Sequence, residues 1–274
     1  MNITIVATLL GIVEGLTEFL PISSTGHLII ADRVFRFQEL LASADKAEMF
    51  EIVIQLGAVL AVGFLYRARL MSTFSTKSGE SQGGRLRLNL IIAFLPAAII
   101  GFLTHHWIKT YLFSPLTVGI SLVIGGIIII WIERRTVEED REITVDTMTT
   151  KDSLVVGLAQ SLSLIPGTSR AAATIMGGML RGIKRSAATE FSFLLAFPTM
   201  VAASLFELVK YRHLLTKDVI GIVAIGFITS FVVALAIVAW FIRYVQRHPF
   251  TGFGVYRIVF GAAVIALALS GFLS

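Results

Sequence analysis

Two carboxylates, four hydroxyls and an imidazole are packed into Glu14-Gly-Leu-Thr-Glu18-Phe-Leu-Pro21-Ile-Ser23-Ser24-Thr25-Gly26-His27, inside an otherwise apolar run from Ile3 to Ile30. Polar groups in such a run cost several kcal/mol unless something compensates them. Glu14 and Glu18 are four residues apart and share one face of a helix. Two carboxylates facing each other at low dielectric repel, so one is protonated or a cation sits between them. Hard oxygen ligands point to magnesium or calcium, and magnesium takes one or two carboxylates and completes its shell with water and phosphate. The structural alternative is a pair of packing glutamates hydrogen-bonded to serines.

Ser23, Ser24 and Thr25 follow Pro21 and are natural N-cap residues with free backbone N–H groups above them. Thr168 and Ser169 stand in the same place in Pro166-Gly-Thr-Ser-Arg170. Two helix starts meeting in the membrane would form an anion site from their dipoles and hydroxyls. Arg170 lies beside the second cap in an apolar segment, where its fork of N–H groups matches phosphate oxygens. The alternative is an internal pair with Glu14 or Glu18. His27 lies one turn beyond Ser23 and Ser24, at the right spacing to transfer a proton. A diphosphate monoester balances Arg170 and one divalent cation, whereas a neutral ligand leaves Arg170 unmatched. Such an anion reaches the bilayer interior most easily on a lipid tail.

These residues have to be positioned by membrane helices. The 274 residues are 55% hydrophobic and 15% charged, with mean hydropathy +0.84, which implies a polytopic membrane protein. Apolar spans occupy roughly residues 50–66, 88–104, 116–132, 190–209, 219–242 and 252–273, each near the ~20 residues a spanning helix needs. Two further segments, about 3–31 and 153–180, are broken by the Pro21 and Pro166 motifs and read as re-entrant helical hairpins. Gly11-x-x-Glu14 before Pro21 matches Gly157-x-x-Gln160 before Pro166, with one residue of length difference. Ile92-Ala-Phe-Leu-Pro96 matches Ile225-Gly-Phe-Ile-Thr229. The expected fold is all-α, with six transmembrane helices plus two hairpins in two inverted-topology repeats. The repeats cover about 1–133 and 153–274, and a cytoplasmic linker of about 134–152 joins them in a single membrane domain. Fourteen Lys and Arg, from Arg67 to Arg247 and including Lys77 and Arg141, fall on one side against seven on the other. That side is expected to be cytoplasmic, which places both termini and the first hairpin's mouth outside.

The net charge of +5 is spread over loops rather than gathered on a soluble face, so nucleic acid is not an expected partner. With no cysteine, a thiolate metal site and a cysteine nucleophile are excluded. No cleaved signal is read at the N-terminus. Glu51, Gln55 and, in the second half, Glu190 either border the site or bond between helices. His105, His106, His213 and His248 read as interfacial, and Gly125-Gly126 and Gly177-Gly178 as close helix packing. Arg257 is a second basic residue within a span, with no role assigned.

The two long motifs, Glu14 to His27 and Pro166-Gly-Thr-Ser-Arg170-Ala-Ala-Ala-Thr174, resemble those of the undecaprenyl-diphosphatase or bacitracin-resistance family of bacterial inner membranes, and the likeness extends over essentially the whole chain. The resemblance implies a phosphatase that converts undecaprenyl diphosphate to the monophosphate for cell-wall synthesis, depends on a divalent cation and opens to the periplasm. It places metal ligation on Glu14 and Glu18 and catalysis on Glu18, Ser24, His27 and Arg170. Ser23, Thr25, Thr168, Ser169 and Thr174 then border the substrate. The family commonly has Ser-Gly where Ala171 and Ala172 follow Arg170 here. Inverted repeats with broken helices are also a transporter architecture, so a polyprenyl-phosphate flippase is the alternative. A homodimer is left open.

Overall fold

In the computed structural model, which describes residues 1–74, 82–135 and 142–273, the chain is built from α-helices; among these residues there is no strand, only a single backbone bridge between Ile143 and Ile183. Lys77, Arg141 and part of the expected linker lie outside the described residues. Six helices are long and apolar enough to cross a membrane. They are α4 (Ala44–Leu65), α6 (Gln82–Tyr111), α7 (Pro115–Arg135), α10 (Arg185–Tyr211), α11 (Lys217–Val245) and α12 (Thr251–Leu269). They match the six apolar spans but run further, because a helix continues past its apolar band through residues such as Arg85 and Lys109, whose charges sit beyond it.

The two broken segments each form a pair of short helices. α1 (Ile3–Thr17) and α2 (Ser24–Phe35) pack together across the Pro21 turn, and α8 (Thr150–Ser161) and α9 (Arg170–Leu180) across the Pro166 turn, after a 3₁₀ turn at Leu162–Leu164. Short helices α3 (Phe37–Leu41) and α5 (Arg67–Phe74) flank α4. α8 opens on a capping box: Thr149 and Asp152 bond reciprocally, and Asp152 also receives Arg181 at 2.9 Å.

The helix pairs exchange partners between the halves. α1 packs on α11 and α8 on α6, while α7 packs on α12 and α4 on α10. Glycine brings the exchanged pairs close. A Cβ on Gly11 would lie 2.6 Å from the Gly226 carbonyl, and one on Gly157 would lie 2.6 Å from that of Ala93. On α7 and α12, Gly119 faces Gly261 and Gly126 faces Gly254, two glycine pairs each spaced seven residues apart. Close helix approach therefore replaces large side chains as the packing device. The largest cluster of buried side chains includes Phe19, Phe191, Phe193, Phe241 and Phe250, and reaches the first turn through Phe19, whose ring packs edge-on against Phe193.

Candidate active site

The first turn keeps its carboxylates in helical register. The Glu18 N–H donates to the Glu14 carbonyl at 3.0 Å, so the two acids lie one turn apart as their spacing predicts. After Pro21 the chain reaches Ser23 at φ 71°, ψ 102°, a conformation costly for any residue with a Cβ, and α2 starts at Ser24. This reversal carries Ser24 back over the acids. Its hydroxyl donates to Glu18 Oε2 at 2.6 Å. Glu14 is fully buried, and neither of its carboxylate oxygens has a hydrogen-bond partner.

The second turn repeats the same backbone. Ser169 sits at φ 68°, ψ 116° and its hydroxyl caps α9 by accepting from the Ala172 N–H at 3.2 Å, which leaves Arg170 as the first helical residue. Arg170 Nη2 lies 3.5 Å from Glu18 Oε1, and Nη1 donates to the Ser192 carbonyl at 3.0 Å and to its hydroxyl at 3.3 Å. The guanidinium is held over the Phe19 ring at 5.4 Å. Its Nε and Nη2 are buried without a hydrogen bond. Arg170 thus makes the internal pair with Glu18 and still has donors for an anion.

The two turns share one strained cap conformation. Aligning the prolines sets Ser24 against Ser169, whereas aligning the caps Ser23 and Ser169 sets Ser24 against Arg170. Gly11 with Gly157 and Ser23 with Ser169 then share one sequence offset, and the prolines fall a residue apart within the turns. In the structure the Ser24 hydroxyl at one turn and the Arg170 guanidinium at the other both meet Glu18, which lies between them.

Other expected site residues are arranged differently. His27 does not bond Ser24, Glu18 or Arg170: Nδ1 is 2.8 Å from the Ser23 carbonyl and Nε2 2.7 Å from the Tyr256 hydroxyl. Thr174 bonds the Ser192 hydroxyl at 2.7 Å and the Arg170 carbonyl at 2.9 Å, so it acts behind Arg170. Ser23 presents its carbonyl to His27, and Thr168 presents its carbonyl to Arg257. Thr25 is half-buried in the first turn of α2, without a bond to Glu14, Glu18 or Arg170. Ala171 and Ala172 are buried in the wall of α9. Of the bordering acids, Glu51 faces Glu14, whereas Glu190 faces Arg69 and Asp146.

Three residues without an assigned role in the sequence reading prove central. Ser192, a hydroxyl between Phe191 and Phe193 in an apolar span, was visible only as that interruption. Tyr256 completes the shell of His27. Arg257 is fully buried, and its guanidinium donates to five backbone carbonyls: Pro21 at 3.2 Å in the first turn, Gly167 at 3.1 Å and Thr168 at 2.9 Å in the second, and Ser121 and Leu122 on α7. Gly125 leaves room for it. A charge inside a span with no acidic neighbour in sequence was the available signal.

Among the described residues no three His, Cys, Asp or Glu gather as a metal cage. The two unpartnered Glu14 oxygens nevertheless fit a hard cation that draws the rest of its shell from water and phosphate.

The chain matches the family described as "Bacitracin resistance protein BacA" over residues 7–263. It belongs to that family. Relatives include undecaprenyl-diphosphatase 2 of Rhodospirillum rubrum, 51% identical over 98% of this chain and 96% of that protein. The undecaprenyl-diphosphatase of Nitrosomonas europaea is 52% identical over 97% and 94%, and that of Neisseria meningitidis (strain FAM18) 47% over 99% and 98%. The match spans both turns, five of the long helices entirely and α12 as far as residue 263, so the site residues described above all lie within it.

Proposed function

We propose that this membrane enzyme hydrolyses undecaprenyl diphosphate to undecaprenyl phosphate and inorganic phosphate, returning the lipid carrier to cell-wall synthesis. The carrying observation is the contact chain Ser24–Glu18–Arg170, which joins a hydroxyl, a proton acceptor and a guanidinium with unused donors. The names of the whole-length relatives support the substrate.

In this reading Arg170 and the N–H groups at the start of α2 and α9 hold the phosphoryl oxygens. The Ser24 hydroxyl gives its proton to Glu18 as its oxygen bonds the terminal phosphorus. The bond from phosphorus to the bridging oxygen breaks and undecaprenyl phosphate leaves. Water then cleaves the phosphoserine, releasing inorganic phosphate. Glu14 and Glu18 are proposed to hold magnesium or calcium, which supplies positive charge to the phosphoryl oxygens when bound. His27 takes part in proton transfer through its shell on α2 and α12.

The finer architecture belongs to the same proposal. α1–α2 and α8–α9 are read as re-entrant hairpins of two inverted repeats, supported by the matching strained caps and by the exchanged pairs Gly11–Gly226 and Gly157–Ala93. An orientation with both termini and the mouth of the site on the periplasmic side of the inner membrane belongs to the same proposal, supported by the excess of Lys and Arg in the loops of the other side.

The test is release of inorganic phosphate from a polyprenyl diphosphate by purified protein in detergent with magnesium or calcium. Detergent has no sides, so a flippase gives no signal there, and folded protein without release would refute the phosphatase. Attack by an activated water directly on the terminal phosphorus is the alternative to Ser24, and rapid quench with labelled substrate separates the two: label retained on wild type and lost on Ser24→Ala supports phosphoserine, and no retained label assigns the attack to water.

A further inference from the structure

His27 is enclosed on three sides. A carbonyl only accepts, so the 2.8 Å contact with Ser23 puts a proton on Nδ1 and leaves the lone pair of the neutral ring on Nε2. That lone pair faces the Tyr256 hydroxyl at 2.7 Å. Phe260 stacks on the imidazole at 4.2 Å and 15°, and the Tyr256 ring lies within 3° of the imidazole plane. Tyr256 and Phe260 stand four residues apart on one face of α12, on either side of Arg257, which grips both turns. Tyr256 also lines a shallow cavity of about 240 Å³ with Ile22, Tyr244, Gly252 and Phe253, so the far side of the phenol opens beside the tip of the first turn.

We propose that Tyr256 is a positioning residue for the reaction, setting the ring plane of His27 and serving as the hydrogen-bond partner of Nε2 in both charge states. To the neutral ring the phenol O–H donates; from an imidazolium Nε2–H the phenol oxygen accepts. One hydroxyl follows the proton without any heavy atom moving. Phe260 holds the ring from the side and presents a π face to the charged form. α12 therefore anchors the turns through Arg257 and orients the histidine through the residue beside it. The inference rests on the proposed proton-transfer role of His27.

The experiment is histidine ¹⁵N NMR on the full chain in detergent or nanodiscs, with His27 assigned by loss of its signals in His27→Gln, together with steady-state kinetics. In wild type His27 should show the Nδ1–H neutral tautomer with a hydrogen-bonded Nε2. In Tyr256→Phe, which keeps the ring and removes the hydroxyl, the Nε2 resonance should move to that of an unbonded nitrogen. kcat should fall by about tenfold to a hundredfold with KM within about twofold, the size of loss expected when a reacting group is misplaced rather than removed. An unmoved Nε2 signal, an Nε2–H tautomer in wild type, or wild-type kcat in Tyr256→Phe would each overturn the proposal. Full activity in His27→Gln would remove the histidine's role itself, a separate failure, while the ¹⁵N spectra would still report the pairing.

Discussion

Glu18 does two jobs with two oxygens, one accepting from Ser24 and one facing Arg170. Glu18→Gln keeps the shape but removes both the proton acceptor and the charge, so phosphate release at saturating substrate should fall by at least about a hundredfold. Glu14 behaves differently because nothing in the protein satisfies it. A buried, unpaired carboxylate costs several kcal/mol, so in EDTA Glu14→Gln should unfold at a higher temperature than wild type while losing activity. Adding magnesium or calcium should raise the melting temperature of wild type and leave that of the variant unmoved. Equal melting behaviour of the two proteins with and without cation would refute Glu14 ligation. Ser192→Ala removes an acceptor from Arg170 and a partner from Thr174. One such bond contributes about 1 kcal/mol, and more to a charged group, so kcat/KM should fall roughly fivefold to tenfold. At this scale the sequence was legible where polar residues interrupt an apolar run, which singled out Glu14, Glu18, Ser24 and Arg170. The direction of His27 was not, because four-residue spacing gives a shared face but not which neighbouring helix supplies the partner.

Between elements, Arg257 ties three parts of the chain together. Its guanidinium joins the two turns and α7 through five hydrogen bonds to backbone carbonyls, three on the turns and two on α7. Arg257→Met fills similar space and orphans those carbonyls, so the thermal stability in detergent should drop by roughly 3 kcal/mol or more. Arg257→Lys should recover little, since an ammonium has three donors and no planar fork. The spans themselves were legible from hydropathy, and the helix breaks from proline. The offset between the halves was not, because proline looks like the natural anchor. The two strained serines share one backbone conformation, and relative to them the prolines lie one residue apart. At the start of α8, Asp152 is buried, which favours its neutral form, but hydrogen bonds from Thr149 and the charge of Arg181 outweigh this and hold its carboxyl below the ordinary value. A depressed folded-state value means that its stabilisation is present at neutral pH and is lost as pH falls through that value, below about 4. Melting temperature against pH should show that loss in wild type and a flatter acid limb in Asp152→Asn.

Across the whole molecule, each half supplies the surface that the other half's short helices need. α1 has its main neighbour in α11, and α8 has its own in α6. A chain made from the N-terminus inserts α1 and α2 long before α11 exists, so the glycine face of α1, including Gly11 and Gly15, has no partner until about residue 245 has left the ribosome. The acidic turn must therefore wait unassembled during synthesis, and a chain halted after α7 should be readily cleaved at that turn by protease. The same dependence makes the halves separable in time and in covalent linkage. Residues 1–135 and 142–274 produced as two polypeptides in one cell should each be degraded alone and should rebuild phosphatase activity together. What closes the pocket is thus an assembly event late in the life of the nascent chain, and the mature enzyme is in effect an intramolecular heterodimer.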